Sequence, residues 1–212
     1  IADRITVIRR GQVVGSRLPS QSNEDDLAEL MVGRRVMLAV DRGKSDPKGA
    51  VLTVENLKVQ QDRGGQEAVK GVSFNVGAGE ILGIAGVAGN GQDELVEAIT
   101  GLRRVSGGTI QLDGENITNW NVRQRREHGV GYVPGDRQKY GLVMGFPLSD
   151  NLVLTQYYNS PFARGIQRND AAIEDWAQKM IKEYDVRTPS STVSAGTLSG
   201  GNQQKVIVAR EF

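Results

Sequence analysis

Residues 86–93 read Gly86-Val87-Ala88-Gly89-Asn90-Gly91-Gln92-Asp93, and this octet decides how the rest of the chain is read. It fits G-x-x-x-x-G-K-[ST] at both glycines and departs from it at the last two places. The apolar run Ile81-Leu82-Gly83-Ile84-Ala85 before it predicts a strand. The run Glu94-Leu95-Val96-Glu97-Ala98-Ile99-Thr100 after it predicts a helix that stops at Gly101. Strand, glycine-rich turn and helix start is the setting in which backbone N–H groups and a helix dipole cradle a phosphate. The lysine that would reach the outer phosphates is Gln92, and the hydroxyl that would touch Mg²⁺ is Asp93. Two unit charges about 4 Å apart interact by roughly 4 kcal/mol at an effective dielectric near 20. Gln92 forfeits one such attraction, while Asp93 and Glu94 place negative charge where a phosphate would answer the dipole. Taken alone, the octet is equally a plain strand–helix turn.

A second stretch tips that balance. Near the other end the chain reads Thr197-Leu198-Ser199-Gly200-Gly201-Asn202-Gln203-Gln204-Lys205, then Val206-Ile207-Val208-Ala209-Arg210-Glu211-Phe212. Ser199 can cap a helix and offer a hydroxyl, while Gly200 and Gly201 allow close backbone approach. Physically this is a second anion trap at a helix start. Leu-Ser-Gly-Gly with Asn-Gln-Gln-Lys behind it resembles the signature motif of ATP-binding cassette (ABC) ATPases.

The resemblance covers almost the whole chain. Residues 50–212 look like one ABC nucleotide-binding domain, an α/β P-loop NTPase with a mixed sheet around the loop helix and a helical subdomain at about 143–198. Residues 1–49 look like the tail of a preceding cassette plus a linker: a hairpin around Arg9-Arg10-Gly11, then a helix over residues 25–32. Tail, linker and second cassette in one chain is similar to importer ATPases with two fused cassettes, of the nucleoside or simple-sugar type. Gly89-Asn90-Gly91-Gln92, Asp136-Arg137 before Gly141-Leu142, Asn151-Leu152-Val153-Leu154 and Val186-Arg187-Thr188-Pro189 favour that group.

The resemblance also implies ligands, site residues and partners. ATP and Mg²⁺ would serve the full-length protein, bound weakly or not at all at Gly86, Gly89, Asn90, Gly91, Gln92 and Asp93. The signature residues Leu198, Ser199, Gly200, Gly201 and Asn202 would complete a competent site on the first cassette. Gly135, Asp136 and Arg137 would form the mobile loop, with Gly135 where a glutamine is expected. An adenine-stacking aromatic is expected before Gly71, but the stretch from Gln60 to Gln66 supplies none. The acidic Mg-binding strand, the catalytic glutamate and the switch histidine come later in a cassette, so the chain reads as a truncated piece with no catalytic residue and no metal ligand of its own. His128 precedes the signature and reads as a surface or packing residue. Partners would be the first cassette, membrane permease subunits and, indirectly, an extracytoplasmic solute-binding protein. The location would be peripheral, on the cytoplasmic face of the membrane. Phe146, Pro147, Leu148, Tyr157, Tyr158 and Phe162 are candidate contacts to the permease. The alternative is a soluble ABC ATPase of regulatory or nucleic-acid-associated type. Neighbouring permease genes would separate the two.

Composition agrees and adds little. The 212 residues suit one to one and a half domains. A net charge of +1 gives no nucleic-acid patch and no acidic tail. Cysteine is absent, so neither disulfides nor thiol metal sites arise. No apolar run approaches the roughly 20 residues of a membrane span. Further strands are expected at residues 51–59, 68–76, 109–112 and 129–133, with a turn at Asp113-Gly114, a polar linker at residues 41–49 and an exposed loop at 134–142. Residues 150–198 are expected to be mostly helical. Asn169 or Asp170 can cap a helix reaching about Tyr184, whose stripe of Ile173, Trp176, Ala177, Met180, Ile181 and Tyr184 reads as core packing.

Overall fold

The computed structural model describes residues 2–33, 46–61 and 65–212. The chain divides into two compact units, Ile1–Gly49 with Ala78–Ile81, and Ala50–Gly77 with Leu82–Phe212. The expected linker lies partly outside the described residues, at 41–45.

In the first unit, β1 (Ile5–Arg9) and β2 (Gln12–Arg17) pair antiparallel. Arg10 and Gly11 turn the chain with φ of 52° and 78°, the left-handed pair that a two-residue hairpin loop demands. Helix α1 (Glu24–Val32) starts where Asn23 accepts the Asp26 N–H at 2.8 Å and stops at Gly33, φ 82°. Glu24, Asp25 and Asp26 face the positive end of its dipole.

The second unit begins with a sheet in the order β4-β3-β5-β6, formed by β3 (Lys48–Gln60), β4 (Glu67–Ala78), β5 (Gly107–Leu112) and β6 (Glu115–Asn116). β3 runs antiparallel to β5, Val54 opposite Ile110, and the register slips between Glu55 and Lys58. Asn56 sits at the slip with φ 47°. The slip moves the inward phase by one residue, so Val54, Leu57 and Val59 all reach the core. Helix α2 (Gln92–Thr100) closes this core with Leu95 and Ala98. Helix α3 (Val122–Glu127) opens with a capping box between Asn121 and Gln124. Its Arg125, 1% exposed, donates to the carbonyls of Ala98, Ile99, Thr118 and Trp120. That guanidinium satisfies the orphan end of α2, and burial lowers its pKa.

A second core is helical. It joins α4 (Leu148–Val153), α5 (Asp170–Glu183) and α6 (Gly200–Glu211), with a small hairpin of β7 (Ala163–Arg164) and β8 (Gln167–Arg168). Asn169 caps α5 by accepting the Ala172 N–H. On the α5 stripe, Ile173, Ala177 and Met180 are buried and Trp176, Ile181 and Tyr184 pack beside them, as core.

Four local expectations are corrected. Residues 81–85 form no strand, and Ile81 and Ile84 are 80% and 51% exposed. Residues 129–133 form none either. A strand persists only with a lateral partner for its N–H and C=O groups, and among the described residues neither segment pairs. Residues 150–198 are less helical than expected, because a hairpin and extended chain separate α4, α5 and α6. The 134–142 loop is exposed only in its middle: Pro134, Gly141 and Leu142 are buried around one wide helical turn, Arg137–Gly141.

Candidate nucleotide-loop and signature site

The octet takes up the turn that its glycines allow. Gly89 and Gly91 have φ of 88° and 97°. At Gly91 a side chain is barred twice over, since a Cβ would also lie 2.5 Å from the Ala68 carbonyl oxygen of β4. The turn therefore sits directly on the sheet and launches α2 from there. Gln92 then folds back into the turn. Its Oε1 accepts the Asn90 N–H at 3.1 Å, and its Nε2 donates to the Val87 carbonyl at 3.1 Å. The amide oxygen takes a backbone N–H of the kind such a loop offers to phosphate. Gly86 leaves room for this, because a Cβ there would collide with the Gln92 Nε2. Asp93 is exposed in the first turn of α2, beside the half-buried Glu94.

Leu198 to Asn202 form the second turn. Ser199, in extended conformation, is the N-cap residue of α6, and its carbonyl accepts the Gln203 N–H. Its hydroxyl caps no backbone group; it accepts from the Asn202 Nδ2 at 3.0 Å. The Asn202 Oδ1 accepts the Arg187 N–H, which ties the turn to the chain leaving α5. Gly201 opens onto free space, and Ser199 is exposed. Gln203, 2% exposed, donates to the carbonyls of Ala195 and Leu198 and holds the approach to the turn.

The 134–142 loop lies against this helix. Asp136 accepts the N–H groups of Gln138 and Lys139, and Arg137 Nε donates to Gln203 Oε1 at 3.2 Å. Gly141 packs so tightly that a Cβ would lie 2.5 Å from Ile207 Cδ1, and its carbonyl accepts from Arg210. Gly135 has open space around it. Among the described residues, no hydrogen bond or ion pair joins the octet to the second turn.

Sequence reasoning missed a charged node at the far end of α6. The Glu211 side chain, 1% exposed, pairs with Arg126 and Arg210 at 2.9 Å each and accepts the Tyr132 N–H at 3.0 Å. It anchors the 129–133 segment without a sheet. Tyr132 in turn lies near α2: burial, then the carboxylates of Glu97 and Asp93, raise its pKa. Only the i, i+1 Arg210-Glu211 pair was visible locally. His128 is a packing residue, its ring 4.4 Å from Trp120 and its Nδ1 at 2.8 Å from the Gln124 carbonyl.

Of the apolar contact candidates, Leu148 and Phe162 are buried in the core, at 0% and 4% exposure. Phe146 and Tyr157 are exposed, and with Tyr158 and Ile166 they line a cavity of about 490 Å³. Asp150, bonded to Arg168, lies at its edge.

The first turn does not fit a Mg-nucleotide held through a lysine and a hydroxyl. An amide already satisfies the Asn90 N–H, and a carboxylate stands where the hydroxyl would be. Among the described residues no cluster of His, Cys, Asp or Glu could hold a metal. The second turn has the open glycine and exposed hydroxyl that an approaching phosphate needs.

A glycine turn resting on a sheet, and a second one opening a helix within a helical layer, define a P-loop ATPase of the cassette class. Residues 69–212 match the family described as ABC transporter, and the chain belongs to that family. NupO of Bacillus subtilis, a guanosine import ATP-binding protein, is 45% identical over 212 residues, covering all of this chain and 41% of that protein. NupA of Lactococcus lactis, a nucleoside import ATP-binding protein, is 44% identical over 212 residues, with 100% and 42% covered. The chain thus spans about two fifths of the length of these relatives. The fold matches a crystal structure of an ABC transporter cassette in its ADP conformation, with a TM-score of 0.60 and 22% identity over 77% of this chain and 65% of the other.

Proposed function

We propose that this chain is the end of one cassette and most of a second, within the ATP-binding subunit of an importer for a nucleoside or simple sugar. The two relatives favour a nucleoside, since both are named for nucleoside or guanosine import. In this reading two cassettes face each other head to tail. Each ATP sits between one cassette's phosphate loop and the other's signature. The loop at 86–93 builds a weak, non-hydrolytic site. The turn at 198–202 completes the competent site on the first cassette. The face around Phe146 and Tyr157 meets the membrane permease at the cytoplasmic surface.

One observation carries this asymmetry: the phosphate loop satisfies its own backbone through Gln92, while the signature turn stays open at Ser199 and Gly201. Phosphoryl transfer depends on positioned donors and charge around the transferring group. Of the two turns, the second leaves a hydroxyl and a glycine exposed. The test is ATPase rate and solute uptake by the full-length protein at matched expression. Ser199→Arg, at an exposed position, is expected to abolish both, although Ser199 lies outside the loop that grips the hydrolysed ATP. Gln92→Ala and Asp93→Ala are expected to keep most of the activity. Normal transport by Ser199→Arg with failure of the other two would reverse the assigned roles.

A further inference from the structure

Gly200 has no conformational need to be glycine. Its backbone is not left-handed, and it occupies the first position of α6, which does not itself call for glycine. What a side chain there would meet is Arg137, whose guanidinium would have to shift. A Cβ at position 200 would lie 2.6 Å from Arg137 Nη2 and 3.2 Å from its Cζ. The guanidinium lies against the signature turn and is bonded through Nε to Gln203, whose own amide holds the Ala195 and Leu198 carbonyls. An Arg137 displaced from position 200 strains its bond to Gln203. The wide turn from Arg137 to Gly141 is fastened to the same helix at Ile207 and Arg210.

We infer that Arg137 is a positioning residue for the signature turn, and that position 200 is glycine to seat its guanidinium. The inference rests on the proposed function, in which that turn completes a nucleotide site across the cassette interface. A cation set at the positive end of a helix is electrostatically unfavourable by itself. That cost is offset when a phosphate reaches the turn, and the Arg137–Gln203 bond holds Ser199 and the Gly200 backbone where that phosphate arrives. The 134–142 loop therefore reaches the signature through one side chain, and a displacement of the loop displaces the turn.

The test is a double-mutant cycle in the full-length protein, with ATP turnover and thermal unfolding measured for each variant. Arg137→Ala and Gly200→Ala are each expected to lower kcat by about tenfold. KM for ATP should be unchanged, because the other cassette holds the nucleotide. The melting midpoint should move by no more than about 2 °C, since Arg137 is half-buried and α6 keeps its core face. Because Gly200→Ala acts by evicting Arg137, the double variant should lose about tenfold and not about a hundredfold. Arg137→Lys, which keeps charge and reach but not the fork, should recover part of kcat. Multiplying losses would show that Gly200 serves phosphate approach alone and would overturn the inference, as would a wild-type kcat in Arg137→Ala. A wild-type protein with no ATPase activity would instead sink the proposed function, and the inference with it.

Discussion

At the residue scale the two glycine turns differ by what fills them. Gln92 replaces a cation by an amide, and the amide turns inward because the turn offers it one donor and one acceptor at hydrogen-bond distance. The loss is thus both of charge and of open donors. Restoring the motif by Gln92→Lys with Asp93→Ser removes the self-made bonds, adds one attraction and removes one repulsion. Each charge effect has a ceiling of several kcal/mol before desolvation is subtracted. Mg-nucleotide binding by this chain is therefore expected to tighten at least about tenfold, or 1.4 kcal/mol, in calorimetric titration. Equal affinity would shift attention to the missing adenine-stacking aromatic before Gly71. The substitution at 92 and 93 was legible in the sequence; the inward fold of the side chain was not, because it depends on the Val87 carbonyl being aimed at it.

At the element scale, helices carry the site and loops set their spacing. Asn151 shows how. On α4 it is fully buried, and its amide accepts from the Val143 N–H and donates to the carbonyls of Val143, Phe146 and Pro147. One side chain thus closes the irregular segment that leads from the 134–142 loop into the helical core. Asn151→Ala leaves the Val143 N–H without its partner and takes one of two donors from each of the Val143, Phe146 and Pro147 carbonyls, at about 2–3 kcal/mol. The melting midpoint is expected to fall by roughly 5–10 °C, with faster amide exchange confined first to residues 143–147. An unchanged midpoint would show that water replaces the amide there. Element boundaries followed from sequence where the signal is local: Asn169 caps, Gly101 stops, and the α5 stripe has helical period. Where a partner strand was required, at 81–85 and 129–133, apolar composition promised what pairing did not deliver.

For the whole molecule, the proposed pairing of a signature turn with a degenerate loop decides what this chain does on its own. Hydrolysis needs a phosphate loop, a signature turn and an acidic metal site brought together. In the proposed reading the described residues contribute the second and a version of the first whose Gln92 bonds its own backbone, and among them no cluster of acidic or histidine ligands could hold a metal. Purified alone, the chain is expected to show no ATP hydrolysis above background in a coupled phosphate-release assay. Turnover that survives removal of contaminating ATPases would mean that the loop at 86–93 is catalytically competent despite Gln92.

The sequence by itself determined the order of parts: hairpin, helix, glycine turn, loop helix, helical layer and signature. It also determined the family, because each of these is written in contiguous residues through caps, glycines and apolar period. Tertiary structure alone decided that Glu211 anchors Tyr132 across 79 positions and that Arg137 lies on Gly200 and on Gln203, which is 66 positions away. It decided also that 81–85 pairs with no strand among the described residues. Such contacts depend on which distant segments meet, and a charge or a strand edge carries no mark in sequence of the partner that will satisfy it.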